Sequence, residues 1–338
     1  MKIICNLKAY IGVLFLQCLY ARMDIVYKAA LNYGMSIFVL NAYEHILATL
    51  VIAPFAMIID RKRRVPMTFS IFAKLVVLAL LEPIFGMNMF VLGMKYTTAT
   101  VAATMINALL AMTFILACLV RLEKLNFKSK QTYAKIVETI VIVGGAMIMT
   151  FIKGPGFELM QTKAKSNREQ QIGNGGTDSH HHSIMGGGMI LSACFSWACF
   201  SILQTFTLNA YPKLSLTAWI CFFGAIGNII VALVIEKDKA AWAIHWDVKL
   251  LAVLYGGIGS TGLASYIQAC ILKDRGPVFV TAFAPISMIM VAVLSSWLLA
   301  EKMYMGRIVG AVIIIVGIYV LIWGKSKEES TNENSGAD

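Results

Sequence analysis

The chain has 338 residues, of which 59% are apolar and only 14% charged, and its mean hydropathy is +0.74. A soluble domain carries about 25% charged residues and about 45–50% apolar ones, so this chain has too little polar side chain to cover itself, and disordered, collagen-like and coiled-coil readings fail on the same numbers. Lys+Arg 29 against Asp+Glu 18 leaves +11, an excess that reads as membrane orientation and contact with anionic lipid, with no nucleic-acid partner.

A helix crossing a bilayer needs about 20 residues, within a range of roughly 17–25. Ten stretches qualify: 8–28, 37–59, 71–93, 98–120, 133–152, 185–207, 214–235, 249–271, 277–299 and 304–323. Sustained period-two alternation is absent, which argues for helices and against a β-barrel. The first stretch runs apolar to Tyr20 and is followed by Arg22 and Asp24, the pattern of a span and not of a cleavable signal. Cys18, Cys118, Cys194, Cys199, Cys221 and Cys270 lie inside apolar runs without a C-x-x-C pair, so they read as small apolar filler and not as a disulfide framework. No Asn-x-Ser/Thr acceptor occurs, and Lys2 stands where a myristoylation signal needs Gly.

Most connections are short. The exception, 153–184, opens Lys153-Gly154-Pro155-Gly156 and runs through polar, Gly-rich sequence to His180-His181-His182. The expected organisation is a first five-helix repeat over 8–152, a polar linker over 153–184, a second five-helix repeat over 185–323 and a disordered cytoplasmic tail over 324–338. With the N-terminus inside, the first half carries twelve Lys and Arg at its inner ends against three at its outer ends, as the positive-inside rule requires. The second half carries five inside and nine outside, so charge leaves its orientation open.

Lys95 to Glu123 and Lys273 to Glu301 are both separations of 28 residues, each containing one span and ending in Glu-Lys. The shared offset of 178 sets Asn107 opposite Pro285. An odd number of crossings turns the second copy upside down, and inverted repeats recur in secondary transporters, with the substrate site where they meet.

Polar groups in hydrocarbon cost several kcal/mol unless partnered, so each one inside a span calls for a partner or a function. Glu82 sits mid-span in Leu80-Leu81-Glu82-Pro83, where Pro83 breaks the helical hydrogen bonding; it either faces a cavity, binding an ammonium or a proton, or pairs with a neighbouring helix. Asn107 shares a face with Thr104 and Thr100, which suits substrate lining and interhelical hydrogen bonding equally. Gln17, Tyr20 and Asp24 share a face of the first span, although Asp24 pairs as well with Lys28. Asn41, Glu44 and His45 cluster near the outer end of the second span, where an interfacial location needs no function. Ser196, Gln204, Asn228, Tyr266 and Gln268 are the polar residues of spans six to eight, with headgroup contact the competing reading for the two glutamines. Trp197 is a substrate wall or a lipid anchor. Pro285, with Thr281, Ser287 and Ser295 in span nine, either leaves the Thr281 carbonyl available or kinks the helix for packing.

The glycine runs do not form a G-x-x-x-x-G-K-[ST] phosphate loop, so ATP-driven pumping is not expected. His180-His181-His182 reads as linker without a metal site. Arg61-Lys62-Arg63-Arg64 follows a span directly and reads as an orientation and lipid signal. No cofactor and no catalytic triad is indicated, so an enzyme is not expected.

The stretch Gly276-Pro277-Val278-Phe279-Val280-Thr281-Ala282-Phe283-Ala284-Pro285, continuing through Ala300-Glu301-Lys302 and Gly306-Arg307 to Tyr319-Val320-Leu321-Ile322-Trp323-Gly324-Lys325, resembles the second EamA-like unit of the plant drug/metabolite transporter superfamily, in the nodulin-21-like, walls-are-thin-related and UmamiT group. Ile52-Ala53-Pro54-Phe55-Ala56, Gly93-Met94-Lys95-Tyr96-Thr97, Arg121-Leu122-Glu123-Lys124 and Gly144-Gly145-Ala146-Met147 extend the likeness, which covers 8–326. The resemblance implies an all-α polytopic membrane protein, ten transmembrane helices as two inverted five-helix EamA-like repeats, both termini cytoplasmic, and carriage of small organic metabolites. Amino acids are the commonest substrate it implies, often as export, with auxin the alternative, and the plasma membrane or the vacuolar membrane the location. The chain departs from the family pattern at Tyr20-Ala21-Arg22, at Tyr43-Glu44-His45 and at Ala284-Pro285.

The sequence reading is therefore a secondary carrier, facilitator or exporter, working by alternating access. Gln17, Glu82, Asn107, Gln204, Tyr266 and Gln268 are its candidate substrate contacts, and Pro83 and Pro285 its hinge or gating positions. Expected partners are a small-molecule substrate and membrane lipids, and a homo-oligomer is left open. The rival of another class is a membrane scaffold or receptor that moves no substrate.

Overall fold

The structure, a computed structural model, describes residues 2–63, 66–96, 99–122, 137, 139–145, 147–148, 156–157, 178–237, 239–243, 248–298, 303–304, 306 and 308–319. In chain order the named helices are α1 (Lys2–Asn32), α2 (Ile37–Ile59), α3 (Phe69–Ala79), α4 (Met87–Tyr96), α5 (Ala99–Leu119), α6 (Asp178–Ala210), α7 (Lys213–Ile235), α8 (Val248–Leu254), α9 (Ser265–Arg275), α10 (Pro277–Ala282) and α11 (Ala284–Leu298). Two π-helical segments, Leu80–Gly86 and Tyr255–Ala264, join α3 to α4 and α8 to α9 without a break in the rod. Residues 139–145 and 308–319 are also helical. One departure from an all-helical chain is a two-residue antiparallel pair, with Gly156 opposite Tyr304 and Phe157 opposite Met303.

Six helices among the described residues are long and apolar enough to cross a membrane: Lys8–Tyr27, Ile37–Ile59, Phe69–Met94, Ile184–Ala210, Lys213–Ile235 and Val248–Arg275. Shorter apolar helices cover Ala108–Leu119, Pro277–Val291 and Ile308–Tyr319. The chain is an all-α polytopic membrane protein, and among the described residues six of the ten expected spans are full-length. The expected fifth span, 133–152, falls largely outside the described residues, as do most of the 153–184 linker and the tail 324–338. The ninth is interrupted at Phe283, one residue before Ala284-Pro285, because Pro285 has no N–H to carry the hydrogen-bond ladder across the join.

Two boundaries also moved. The first helix extends from Lys2 to Asn32, past both expected ends. The sixth begins at Asp178, so His180–His182 lie in its opening turns and not in linker; Asp178 and Ser179 are residue types that favour a helix start. Elsewhere the punctuation follows the sequence. Gly276 takes a φ of +83° to close α9, and Pro277 opens α10 directly after it, the Gly-then-Pro arrangement that helix ends favour.

The helices are apolar nearly all round, as spans in lipid must be. Leu50, Ile58 and Val234 are 66%, 74% and 69% exposed and turn outward, where lipid would be their solvent. Leu16, Leu75, Leu78, Leu208, Leu216, Leu272, Phe279 and Phe283 are buried in the central cluster. α2 packs along α7, α6 packs against both α4 and α5, and α1 lies against α9 and α11.

Asp60, directly after α2, is buried and reaches across to the start of α7, where its Oδ2 accepts from Ser215 N–H (2.9 Å) and Ser215 Oγ (2.6 Å). The residue preceding α7 is Pro212, whose side chain makes no cap hydrogen bond. Asp60 therefore supplies from another helix what an N-cap side chain ordinarily supplies locally. Asp60→Ala is expected to cost about 1–2 kcal/mol, with Asp60→Asn recovering part of it; thermal melting of the detergent-purified protein measures both.

Candidate functional site

The π segment Leu80–Gly86 is what opens the middle of the bundle. Pro83 has no N–H to donate, and a helix that must skip that bond is relieved by widening one turn, as Met87 N–H does in reaching back to Glu82 O. Two carbonyls of the irregular turn also take side-chain donors, as backbone groups in lipid favour. Ser196 Oγ of α6 donates to Leu81 O (2.7 Å), and Asn88 Nδ2 of α4 donates to Ile84 O (2.6 Å). Asn88 Nδ2 also donates to Asn228 Oδ1 of α7 at 3.0 Å. Side chains of α6 and α4 thus hold the widened turn, and α7 holds Asn88 in place.

Small residues let that turn sit deep. A Cβ at Gly224 would lie 2.8 Å from His45 Cδ2 and 3.0 Å from Pro83 Cγ, and one at Gly227 would overlap the Ile84 side chain. On the other flank, a Cβ at Gly86 would lie 2.5 Å from Trp197 Nε1. The indole of Trp197 is tilted against Phe90, with ring centroids 5.4 Å apart.

Around this turn lies a cavity of about 340 Å³, within the range of roughly 300–1,000 Å³ typical of small-molecule sites. Gln17 and Tyr20 of α1, Glu82 and Pro83 of the first π segment, Trp197 and Gln204 of α6 and Gln268 of α9 all line it. So do Ser260 and Thr261 of the second π segment, and Thr281, Ala284 and Ser287 around the break in span nine. Tyr20 Oη donates to Gln268 Oε1 at 2.6 Å, which ties α1 to α9 across one wall. Gln204 is 2% exposed and its Oε1 has no hydrogen-bond partner.

Of the candidate contacts read from sequence, Gln17, Glu82, Gln204 and Gln268 meet at this cavity, and Pro83 lines it with them. Tyr266 does not line it; it lies two residues from Gln268, a step that points it to the other side of the helix. Asn107 lies on α5, and its side chain falls outside the described residues. Pro285 follows the lining residue Ala284 and is itself buried outside the wall.

The cavity also gathers residues whose sequence position suggests an interface. Asn41, Glu44 and His45 all line it, each buried. Glu44 Oε2 accepts from Tyr27 Oη and, over a long 3.5 Å, from Thr261 Oγ1. His45 Nδ1 donates to Asn41 O at 2.8 Å, so the 3.4 Å approach of Asn228 Nδ2 to the same nitrogen is a contact between donors and not a second bond. The available signal was spacing: Asn41, Glu44, His45 and Ala48 fall on one face of α2, and all four are buried. Among the described residues the wall holds two carboxyls, one imidazole and no Lys or Arg.

Long apolar helices packed around a cavity on which several polar side chains converge fit the class of membrane carriers of small molecules. The family model for the EamA-like transporter family matches residues 7–151 and again 184–323. WAT1-related protein At2g37460 of Arabidopsis thaliana is 49% identical, over 98% of this chain and 86% of its own length. WAT1-related protein At2g39510 of the same plant is also 49% identical, over 98% of this chain and 88% of its own length. One solved crystal structure, at 13% identity, shares the fold with a TM-score of 0.71, covering 95% of this chain and 99% of that one. The chain belongs to the EamA-like transporter family. It is a multi-pass membrane protein and a secondary transporter of small organic molecules, not an enzyme.

Proposed function

We propose that this chain carries amino acids by alternating access of the cavity to the two sides of its membrane. The observation that carries the reading is the convergence of Gln17, Glu82, Gln204 and Gln268, from four separate helical segments, on one cavity. An amino acid presents an ammonium and a carboxylate together. Glu82 is the acceptor for the first, and the amides of Gln17, Gln204 and Gln268 supply donors for the second.

The movement proposed is a rocking of two inverted five-helix repeats, 8–152 and 185–323, within ten spans and with both termini cytoplasmic. Two observations support it. One family model matches twice along the chain, and the sequence offset of 178 carries Leu80–Gly86 onto 258–264, inside the second π segment. Under that offset Glu82 and Ser260 are counterparts, and both line the cavity. Pro83, inside the first widened turn, and Pro285, at the break in span nine, are the proposed hinges; irregular backbone of this kind is tolerated in a membrane where it lines a cavity. The plasma membrane is the proposed location, with 153–184 as a linker between the repeats.

Reconstitution of the full chain into proteoliposomes tests the reading. Labelled amino acids are expected to equilibrate faster than in protein-free vesicles, and to exchange against unlabelled amino acid on the other side. Flux of auxin alone would replace the substrate. A folded protein that moves nothing from a broad metabolite panel would leave the scaffold as the better reading.

A further inference from the structure

Glu44 has no part in the amino-acid site proposed above, yet it is 1% exposed and lines the same cavity as Glu82. Its two oxygens are treated differently. Oε2 is occupied by Tyr27 and Thr261, while Oε1 has no hydrogen-bond partner. One turn earlier on the same face, Asn41 is also 1% exposed, lines the cavity, and has neither Nδ2 nor Oδ1 partnered. Such groups are rare, because a buried polar atom without a partner forfeits the hydrogen bonds it made to water, and the loss is greater when it is charged.

Glycines make room for this carboxyl. Gly256 of the second π segment faces Glu44, and any Cβ there would overlap the unpartnered oxygen. Gly257 next to it leaves room for Leu47 and the Glu44 carbonyl, the latter 3.0 Å from where its Cβ would stand. Met23 and Tyr27 line the same cavity. No described Lys or Arg lines it, and Arg22 of α1 is exposed and off the wall.

A buried carboxyl that stays ionised requires a cation or a full set of donors, and the described residues supply neither in full. We propose that Glu44, with Asn41 and Tyr27, forms a second ammonium subsite, so that the cavity selects substrates carrying two cationic nitrogens, such as basic amino acids. The α-ammonium pairs with Glu82, and the side-chain ammonium donates to the Glu44 carboxylate and to Asn41 Oδ1, beside Tyr27. This rests on the amino-acid reading for the α-ammonium, but the Glu44 subsite itself requires only a cation.

Lysine and norleucine differ only in the terminal ammonium, so their ratio of fluxes reads the subsite directly. In proteoliposomes the unaltered chain is expected to prefer lysine at least tenfold. Glu44→Gln is expected to lower that ratio at least tenfold, and Glu44→Asp, which keeps the charge, to retain most of it. An unaltered chain that moves norleucine as well as lysine, or a Glu44→Gln chain with the original preference, would overturn the subsite. Cadaverine separates the two readings, because it carries two ammonium groups and no carboxylate. If no amino acid moves but cadaverine raises the melting temperature of the unaltered chain and not of Glu44→Gln, the amino-acid reading falls and the subsite stands. If cadaverine stabilises neither and no amino acid moves, both fall.

Discussion

Glu82→Gln is expected to reduce amino-acid flux in proteoliposomes about ten- to a hundredfold while leaving the protein as well expressed and as heat-stable as before. The substitution keeps the shape of the side chain and removes its charge. A hydrogen bond to a charged group contributes about 1.5–3 kcal/mol, and each 1.36 kcal/mol is tenfold in rate, which sets the size of the effect. Stability should hold because the turn that carries Glu82 is fixed by other groups: Ser196 on Leu81 O, Asn88 on Ile84 O, and the packing of Pro83 and Ile84 on α7. Glu82→Asp, charged but shorter, should fall between. Unchanged flux in Glu82→Gln would remove the residue from the site, and loss of folded protein would mean that its carboxylate serves packing after all.

The same turn shows what the sequence could and could not disclose. Pro83 in the middle of an apolar run announced an irregularity, because a proline inside a helix must cost a hydrogen bond, and the π segment Leu80–Gly86 is how the chain absorbs it. The second π segment has no proline. Its Tyr255-Gly256-Gly257-Ile258-Gly259-Ser260-Thr261-Gly262 run is rich in glycine, and glycine permits a widened turn without dictating one. Spans were legible wherever lipid imposes a continuous apolar length, as in Ile37–Ile59, where the expected and observed bounds coincide.

Sites were legible only along one helix. Gln17 and Tyr20 share a face of α1 by spacing alone, and both line the cavity. Whether Gln204 and Gln268 face headgroups or each other's cavity depends on how α6 and α9 meet, which no periodicity carries. Glu44 and His45 show the same gap. Their position near the end of α2 suggested an interface, whereas the glycines Gly256, Gly257 and Gly224 on two other helical segments admit them to the interior.

Gly227→Val is expected to destabilise the protein by about 1–3 kcal/mol, the usual cost of forcing extra carbon into a packed interior, and to reduce transport with it. The Cβ that any substitution adds at Gly227 falls on the Ile84 side chain, 2.5 Å from Cγ1 and closer still to Cδ1. Alanine is the milder case, since Ile84 can rotate its far end away; valine adds branches that leave it no free rotamer direction. Ile84 cannot retreat along the helix, because Pro83 before it is seated on Gly224 and Gly86 after it is seated under Trp197. The strain is therefore passed to the widened turn, and Glu82 moves with it. Ile84→Ala in the same chain vacates the overlapping volume, so the double variant should recover more than either single change predicts, a coupling that a double-mutant cycle in detergent melting resolves. Gly188→Ala gives the opposite sign for comparison: it lies within α6 with nothing within 4 Å of its Cβ position, and replacing a helical glycine there should stabilise by about 0.5–1 kcal/mol. Equal melting of Gly227→Val and the unaltered chain would mean that α7 and the turn are not in the close contact on which the geometry of the cavity depends.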